Sequence, residues 1–366
     1  MYIHERKEWP HFTWDQKRLT TILTETRYAQ GRLLGQMSSF GFQLREEATL
    51  QILTQDILKT SEIEGQKLDD KQVRSSIAKR LGINIGSVLP IDRHIEGIVE
   101  VLLDATHHYR RPLSQERLYK WHATLFLSDK NSIQRLTIGK WRTTASGVMQ
   151  VVSGPFGREK IHFEAPAAKR LRKEMNQFVN WFNSTTDIDL VIKSALAHFW
   201  FVTIHPFDDG NGRIARALAD MLLARSDNTK QRFYSMSAQI QRERNAYYSV
   251  LESCQKGSLD ITPWIEWYLC CLQRAIAASE KILQAVLVKA RFWATHVKEP
   301  FNERQQAIIN RLLDGFEGKL NSSKWAKLAK CSQDTALRDI NDLVSREILV
   351  KDNAGGRSTS YQLRLP

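Results

Sequence analysis

One stretch constrains this chain more than any other. A strongly apolar helical run from Leu190 to Thr203 stops at the turn-rich string HPFDDGNG and restarts as a helix near Gly212 that continues through ARALADMLLA. Proline after His205 disfavours helix at the preceding residue, and the Asp-Gly and Asn-Gly pairs force a tight turn. Two helices therefore meet at a polar loop. The surrounding pattern is also helical. Apolar residues recur at three and four from Asp15 to about Leu81, again in IEGIVEVLLDATHHY and SQERLYKWHATLF, with Ser114 as a candidate N-cap, and from Ala167 to Phe182.

The exception lies between Thr137 and Pro166. Here TIGKWRTTASGVMQVVSGPFGREKIHFEAP carries β-branched residues and internal glycines, which predicts an exposed β-hairpin flap from roughly Gly139 to Pro166. Beyond a long helix ending near His296, three short helices and a glycine-tipped hairpin predict a winged helix-turn-helix. With 366 residues, more than one core is expected. The boundaries predicted are 1–85 for a helical domain, 86–296 for a core and 297–366 for the winged module.

The loop concentrates chemistry. Gly210, Asn211 and Gly212 lead into a helix N-terminus, where inward-turned N–H groups form a cradle for phosphate. Arg213 and Arg216, three apart, project from one side of that helix with forked donors. Either Asp208 or Asp209 could hold Mg²⁺, which favours one or two carboxylates plus phosphate oxygens. His205 titrates near neutrality and could take a proton from an attacking hydroxyl. The competing reading is a polar loop in which Asp208 caps the next helix and the arginines are solvated. No GxxxxGK[ST] string occurs, so ATP would be held without a lysine-bearing phosphate loop.

The segment HPFDDGNGRIAR resembles the Fic motif HxFx(D/E)GNGRxxR at every fixed position, and ALAHFWFVTIHPF before it has the same look. The resemblance implies a mainly α, Fic-type helical core with a β-hairpin flap, an N-terminal helical domain and a C-terminal winged helix. It implies transfer of AMP from ATP to a Ser, Thr or Tyr hydroxyl of a protein target or of the chain itself. His205 would be the general base and Asp209 the Mg²⁺ ligand. Gly210, Asn211 and Gly212 would hold the α- and β-phosphates with help from Arg213, and Arg216 would grip the γ-phosphate. The flap would register a target segment by strand pairing.

A second string, KTSEIEGQ, resembles the family's inhibitory pattern (S/T)xxxE(G/N), with Thr60, Glu64 and Gly65 in the fixed slots. Glu64 would pair with Arg216 and deny the γ-phosphate its productive pose, placing the chain in the class with an N-terminal inhibitory helix. An exposed Glu on a solvated helix face is the plainer alternative. The opening WPHFTWD is similar to the start of a helical domain often joined to such proteins.

Remaining sites carry less. Asn245, Tyr247 and Tyr248 follow at helical spacing, with Tyr248 chosen for adenine contact against the alternative of a packed core face. His107, His108, His122, His162 and His198 lack carboxylates at ligand spacing and read as structural or surface residues; His198 would support the His205 helix from behind.

In the winged module Gln333, Thr335 and Arg338 would face a DNA major groove and Arg357 its backbone or minor groove. The balance from Phe301 to Pro366, 11 basic against 8 acidic residues, is modest for that purpose. Protein docking or a homodimer is an alternative use. Across the whole chain, 53 basic against 40 acidic residues favour an anionic partner. Cys254, Cys270, Cys271 and Cys331 form no CxxC pair, and with no signal-like opening or apolar span the expected location is the cytoplasm, off the membrane. Two alternatives keep the same core: a DNA-binding regulator that senses nucleotide, or an enzyme that removes AMP or transfers another phosphoryl group.

Overall fold

A computed structural model describes residues 1–38, 40–84, 90–126, 136–155, 157–313, 316, 318–352 and 359–365. Among them are fourteen α-helices and two two-stranded antiparallel sheets, so the chain is mainly α as expected. Contacts group the residues into two compact units, Met1–Gly41 with Thr49–Ser279, and Phe42–Ala48 with Glu280–Pro366. These borders differ from the expected 85/86 and 296/297. Most of residues 1–85 share the first unit because their side chains pack into the same core as the central helices.

The chain opens with a 3-10 turn at Ile3–Glu5, then α1 (Gln16–Ser38), α2 (Phe42–Ile63), α3 (Asp70–Leu81), α4 (Arg93–His107) and α5 (Gln115–Leu125). The hairpin β1 (Gln150–Ser153) and β2 (Lys160–Glu164) follows, then α6 (Leu171–Asn183), α7 (Leu190–Ile204), α8 (Asn211–Asp227), α9 (Met236–Arg242), α10 (Arg244–Gln255) and α11 (Thr262–Thr295). The two strands pair as a flap, with Gln150 opposite Glu164 and a register shift between Val151 and Val152.

Helix starts follow local chemistry. Ser114 accepts from the Arg117 N–H, as predicted, and Asp189 accepts from the Val191 N–H at 2.8 Å. Each such cap is worth about 1 kcal/mol against alanine. Helix α7 is the centre of the unit, with every residue from Val191 to Ile204 buried. Phe199, Phe201 and Ile204 are fully removed from solvent, each worth about 1.5–3 kcal/mol of burial. Even Lys193 is buried: its Nζ donates to the Ser184 carbonyl at 2.6 Å and lies over the Trp181 ring, and burial lowers its pKa to about 8. Ser194 Oγ on α7 donates to the Ala219 carbonyl of α8, tying together the two helices that flank the loop.

The second unit contains α12 (Glu303–Leu313), α13 (Ser322–Ala329), α14 (Gln333–Ser345) and an antiparallel pair, β3 (Leu349–Lys351) and β4 (Tyr361–Leu363). Its core joins Phe292, Ile309, Trp325, Ile340, Leu343 and Ile348. Ser332 caps α14 by accepting from the Thr335 N–H, and the Thr335 hydroxyl bonds back to Ser332. Gln333 donates to Ser323 on α13, and Arg338 is exposed. Arg357 lies outside the described residues. Among the described residues no helix is long and apolar enough to cross a membrane.

Candidate active site

The loop between α7 and α8 is built by its own residues. His205 ends α7 in the left-handed region (φ 51°), and its N–H donates to the Phe201 carbonyl at 3.0 Å. A non-glycine residue there is uncommon and is held in place by its neighbours. The neighbour is Arg142, whose Nε donates to the His205 carbonyl at 2.8 Å and whose backbone N–H donates to the Pro206 carbonyl at 2.9 Å. Asn211 closes the loop: its Oδ1 accepts from the Phe207 N–H at 3.0 Å and its Nδ2 donates to the Phe207 carbonyl at 2.8 Å. Gly210 begins α8 with φ 77°, and a Cβ there would press on the Phe126 ring.

His205 presents its two nitrogens differently. Nδ1 lies 3.1 Å from the Val202 carbonyl, which accepts only from an N–H, so Nδ1 carries the proton and Nε2 carries the lone pair. Burial lowers the imidazole pKa, keeping it neutral at physiological pH.

The two carboxylates separate clearly. Asp208 Oδ2 accepts from the Thr137 N–H at 2.9 Å, anchoring the entry to the flap, while its Oδ1 is buried without a hydrogen-bond partner among the described residues. Asp209 has a side chain 58% exposed, with Oδ1 accepting from the Gly210 N–H and Oδ2 3.9 Å from Arg213. The alternative in which Asp208 caps α8 and the arginines are solvated does not hold. The cap position is Gly210, with no side-chain cap, and Arg213 and Arg216 are each only 4% exposed.

Opposite the loop stands the end of α2. Arg216 Nε donates to the Thr60 hydroxyl at 2.7 Å, and its Nη2 donates to the Thr60 carbonyl at 3.1 Å and to Glu64 Oε1 at 2.7 Å. Thr60 and Glu64 are four apart, hence on one helix face, and Gly65 takes the left-handed conformation (φ 79°) that ends the helix behind them. A Cβ on Gly212 would collide with Glu64 Oε1, so the missing side chain lets the carboxylate approach the start of α8. Burial pushes the Glu64 carboxyl upward, but the charge and hydrogen bond of Arg216, with Arg213 and His205, outweigh it and hold the group below its usual range. Gln66 adds a contact to Arg213 at 3.3 Å.

Tyr247 is core, bonded to His198 Nε2 at 2.8 Å, whereas Tyr248 is 39% exposed with its ring edge-on to Tyr247. Both couple electrostatically to Glu64 and Arg216, which puts α10 beside the clamp. His198 lies behind Arg216, its pKa lowered to about 3 by burial and then by that arginine.

Three further supports hold the loop, of which only His122 was expected to be structural or on the surface. His122 lies under the loop, stacked on Phe207 with centroids 4.1 Å apart and accepting from the Gly139 N–H; burial pushes its pKa down to about 4. Arg142 locks the His205 turn. Asp220 and Asp56 sit behind Arg216 around a void of about 20 Å³, with Asp220 paired to Arg232 at 2.8 Å. No spacing in the sequence announces these, because each partner comes from a distant segment. The Asn211 side chain is committed to Phe207, which leaves its backbone N–H, the group expected in the cradle, for a ligand.

A buried helix, a glycine turn and a second helix under a β-flap form the architecture of a Fic domain, and residues 112–223 match the Fic/DOC family model, so this part of the chain is a Fic/DOC domain. Residues 2–83 match a second model described as a domain of unknown function, DUF4172. Among known proteins, the chain is similar to protein adenylyltransferase Fic of Aedes aegypti, 29% identical over 227 residues, covering 61% of this chain and 40% of that protein. It thus spans well under half the length of that curated relative. A Fic family protein from Desulfovibrio desulfuricans G20 has the same fold at a TM-score of 0.52 and 21% identity, covering 94% of this chain and 96% of that one. A Fic domain containing signaling protein from Bacteroides thetaiotaomicron matches at a TM-score of 0.51 and 17% identity, covering 71% of this chain and 98% of that one.

Proposed function

We propose that this chain is a protein adenylyltransferase, moving AMP from ATP to a hydroxyl of a protein target, and that Glu64 holds it in a restrained state. The observation that carries the reading is the neutral His205 with Nε2 free to accept, set directly before a glycine-led helix N-terminus. In the reaction, the target oxygen bonds to the α-phosphorus, the bond from that phosphorus to the bridging oxygen breaks, and pyrophosphate leaves. The hydroxyl proton passes to His205 Nε2.

The first-turn N–H groups of α8, at Asn211, Gly212 and Arg213, have no partners within the helix and suit the α- and β-phosphates. Arg213 adds a forked cation and Tyr248 an exposed ring for adenine. Asp209, exposed at the loop, fits the one-carboxylate share that Mg²⁺ takes when phosphates and water supply the rest. Bound there, Mg²⁺ would neutralise charge on the triphosphate.

Autoinhibition follows from Arg216. Its guanidinium is the natural grip for the γ-phosphate, and Glu64 already supplies it with an anion. In the same reading the second unit is a winged helix-turn-helix that offers Gln333 and Arg338 on an exposed stretch of α14.

The test is label transfer. With ATP labelled at the α-phosphate, protein should become labelled; with label at the γ-phosphate it should not, and His205→Ala should abolish transfer. Label entering from the γ position would replace this reading with phosphotransfer.

A further inference from the structure

The flap cannot hold its own position. Among the residues of β1 and β2, Phe163 alone is buried; Val152 and Ile161 are 47% and 45% exposed. A two-stranded hairpin is at best marginally stable in water without a face packed on something else. The opening segment of the chain packs on Phe163. The Tyr2 ring meets it edge-on with centroids 5.2 Å apart, and the His4 ring does the same at 5.7 Å.

Hydrogen bonds make the attachment directional. His4 Nε2 lies 2.8 Å from the Glu164 carbonyl at the end of β2 and donates to it, and the His4 carbonyl accepts from Arg170 just beyond the flap. The segment is itself secured to the helical body. Ile3 is fully buried, Arg6 Nε donates to the Gly257 carbonyl after α10, and Trp9 Nε1 donates to Glu174 of α6 at 2.8 Å. His162 of β2 adds an independent link to Glu252 of α10 at 2.7 Å.

We propose that residues 2–6 are the anchor that holds the flap where it can receive a target segment, giving this part of the domain of unknown function a role in acceptor positioning. The proposal rests on the reading of the flap as the target-registering element. Tyr2 and His4 are positioning residues: they touch the flap, while the groups proposed to meet nucleotide are all elsewhere. Residues 2–83 then act on the site from two sides, through the flap at one end and through Thr60 and Glu64 at the other.

The test uses the full chain carrying Glu64→Gly, with Tyr2→Ala/His4→Ala, His4→Phe or His4→Gln added. Hydrogen exchange is followed by mass spectrometry, ATP affinity with a fluorescent ATP analogue, and transfer with α-labelled ATP and a cell lysate as the protein acceptor. In the double variant, amides of 150–153 and 160–165 should exchange at least tenfold faster while those of 201–216 keep their rates. Transfer to lysate protein should fall about tenfold with ATP affinity unchanged. His4→Phe keeps the ring on Phe163 but loses the donor and should show part of the effect; His4→Gln can still donate to Glu164 and should restore transfer. Unchanged flap exchange overturns the anchor. Faster flap exchange with undiminished transfer overturns its role in acceptor positioning. Failure of the enzyme reading looks different: no α-label transfer even by Glu64→Gly with its opening segment intact.

Discussion

Replacing Glu64 with glycine should release the enzyme. The side chain contributes one charge-assisted hydrogen bond, Arg216 Nη2 to Oε1 at 2.7 Å, to an arginine with a side chain only 3% exposed. Such a bond is worth about 1.5–3 kcal/mol. At about 1.4 kcal/mol per factor of ten, freeing Arg216 for the γ-phosphate should raise AMP transfer by roughly ten- to a hundredfold. The same loss should show in stability, because Arg216 keeps Thr60 but no longer has a carboxylate. For a unit of this size each kcal/mol moves Tm by about 2–4 °C, so a fall of several degrees is expected in a thermal melt. The assay pairs initial rates of α-label incorporation with that melt, for wild type, Glu64→Gly and Glu64→Gln. Glycine adds little strain at a position that already follows the last residue of α2. A lower Tm with no gain in rate would refute the reasoning, since the Arg216 contact would then be structural and unrelated to nucleotide.

Further outcomes follow from the same geometry. Asp209→Ala should lose most of the dependence of rate on Mg²⁺ concentration, whereas Asp208→Ala should keep that dependence but loosen the flap entry at Thr137, visible as faster exchange near residue 137. Asn211→Ala removes two buried side-chain bonds to the Phe207 backbone and should cost about 1–3 kcal/mol in denaturant unfolding, together with activity. The Glu64 carboxyl sits below its ordinary value, so its stabilising pair is complete above the unfolded-state pKa of about 4.3 and is lost as pH falls through the lower folded-state value. Restraint should therefore persist at pH 5–6; activation of wild type over Glu64→Gly in that range would contradict the clamp. The His205 pKa is also lowered by burial, so the acid limb of kcat/KM in Glu64→Gly should fall below 6.5.

Local chemistry made much of this protein readable in one dimension. The α7–α8 break was legible because Pro206 and the Asp-Gly and Asn-Gly pairs interrupt regular helix, and the flap because β-branched residues and glycines interrupt a helical background. Ser114 announced its own helix start, and Thr60 and Glu64 share a face by spacing alone. Other differences are invisible to local chemistry. Asp208 looked equivalent to Asp209, yet one is tied to Thr137 and the other left open, a difference set by a backbone N–H 71 residues away. The place of Asn211 in the loop was legible, but not that its side-chain amide fits the Phe207 backbone.

The resemblance anticipated Glu64 on Arg216, but the folded chain alone settled the other partnerships across long separations: Arg216 with Thr60, Arg142 with the His205 carbonyl, His122 beneath Phe207, and His4 on the flap. Periodicity and turn chemistry are short-range, so they dictate which residues become helix and loop. Which buried charge meets which carboxylate depends on how distant helices pack, and burial then decides whether the contact is strong enough to matter.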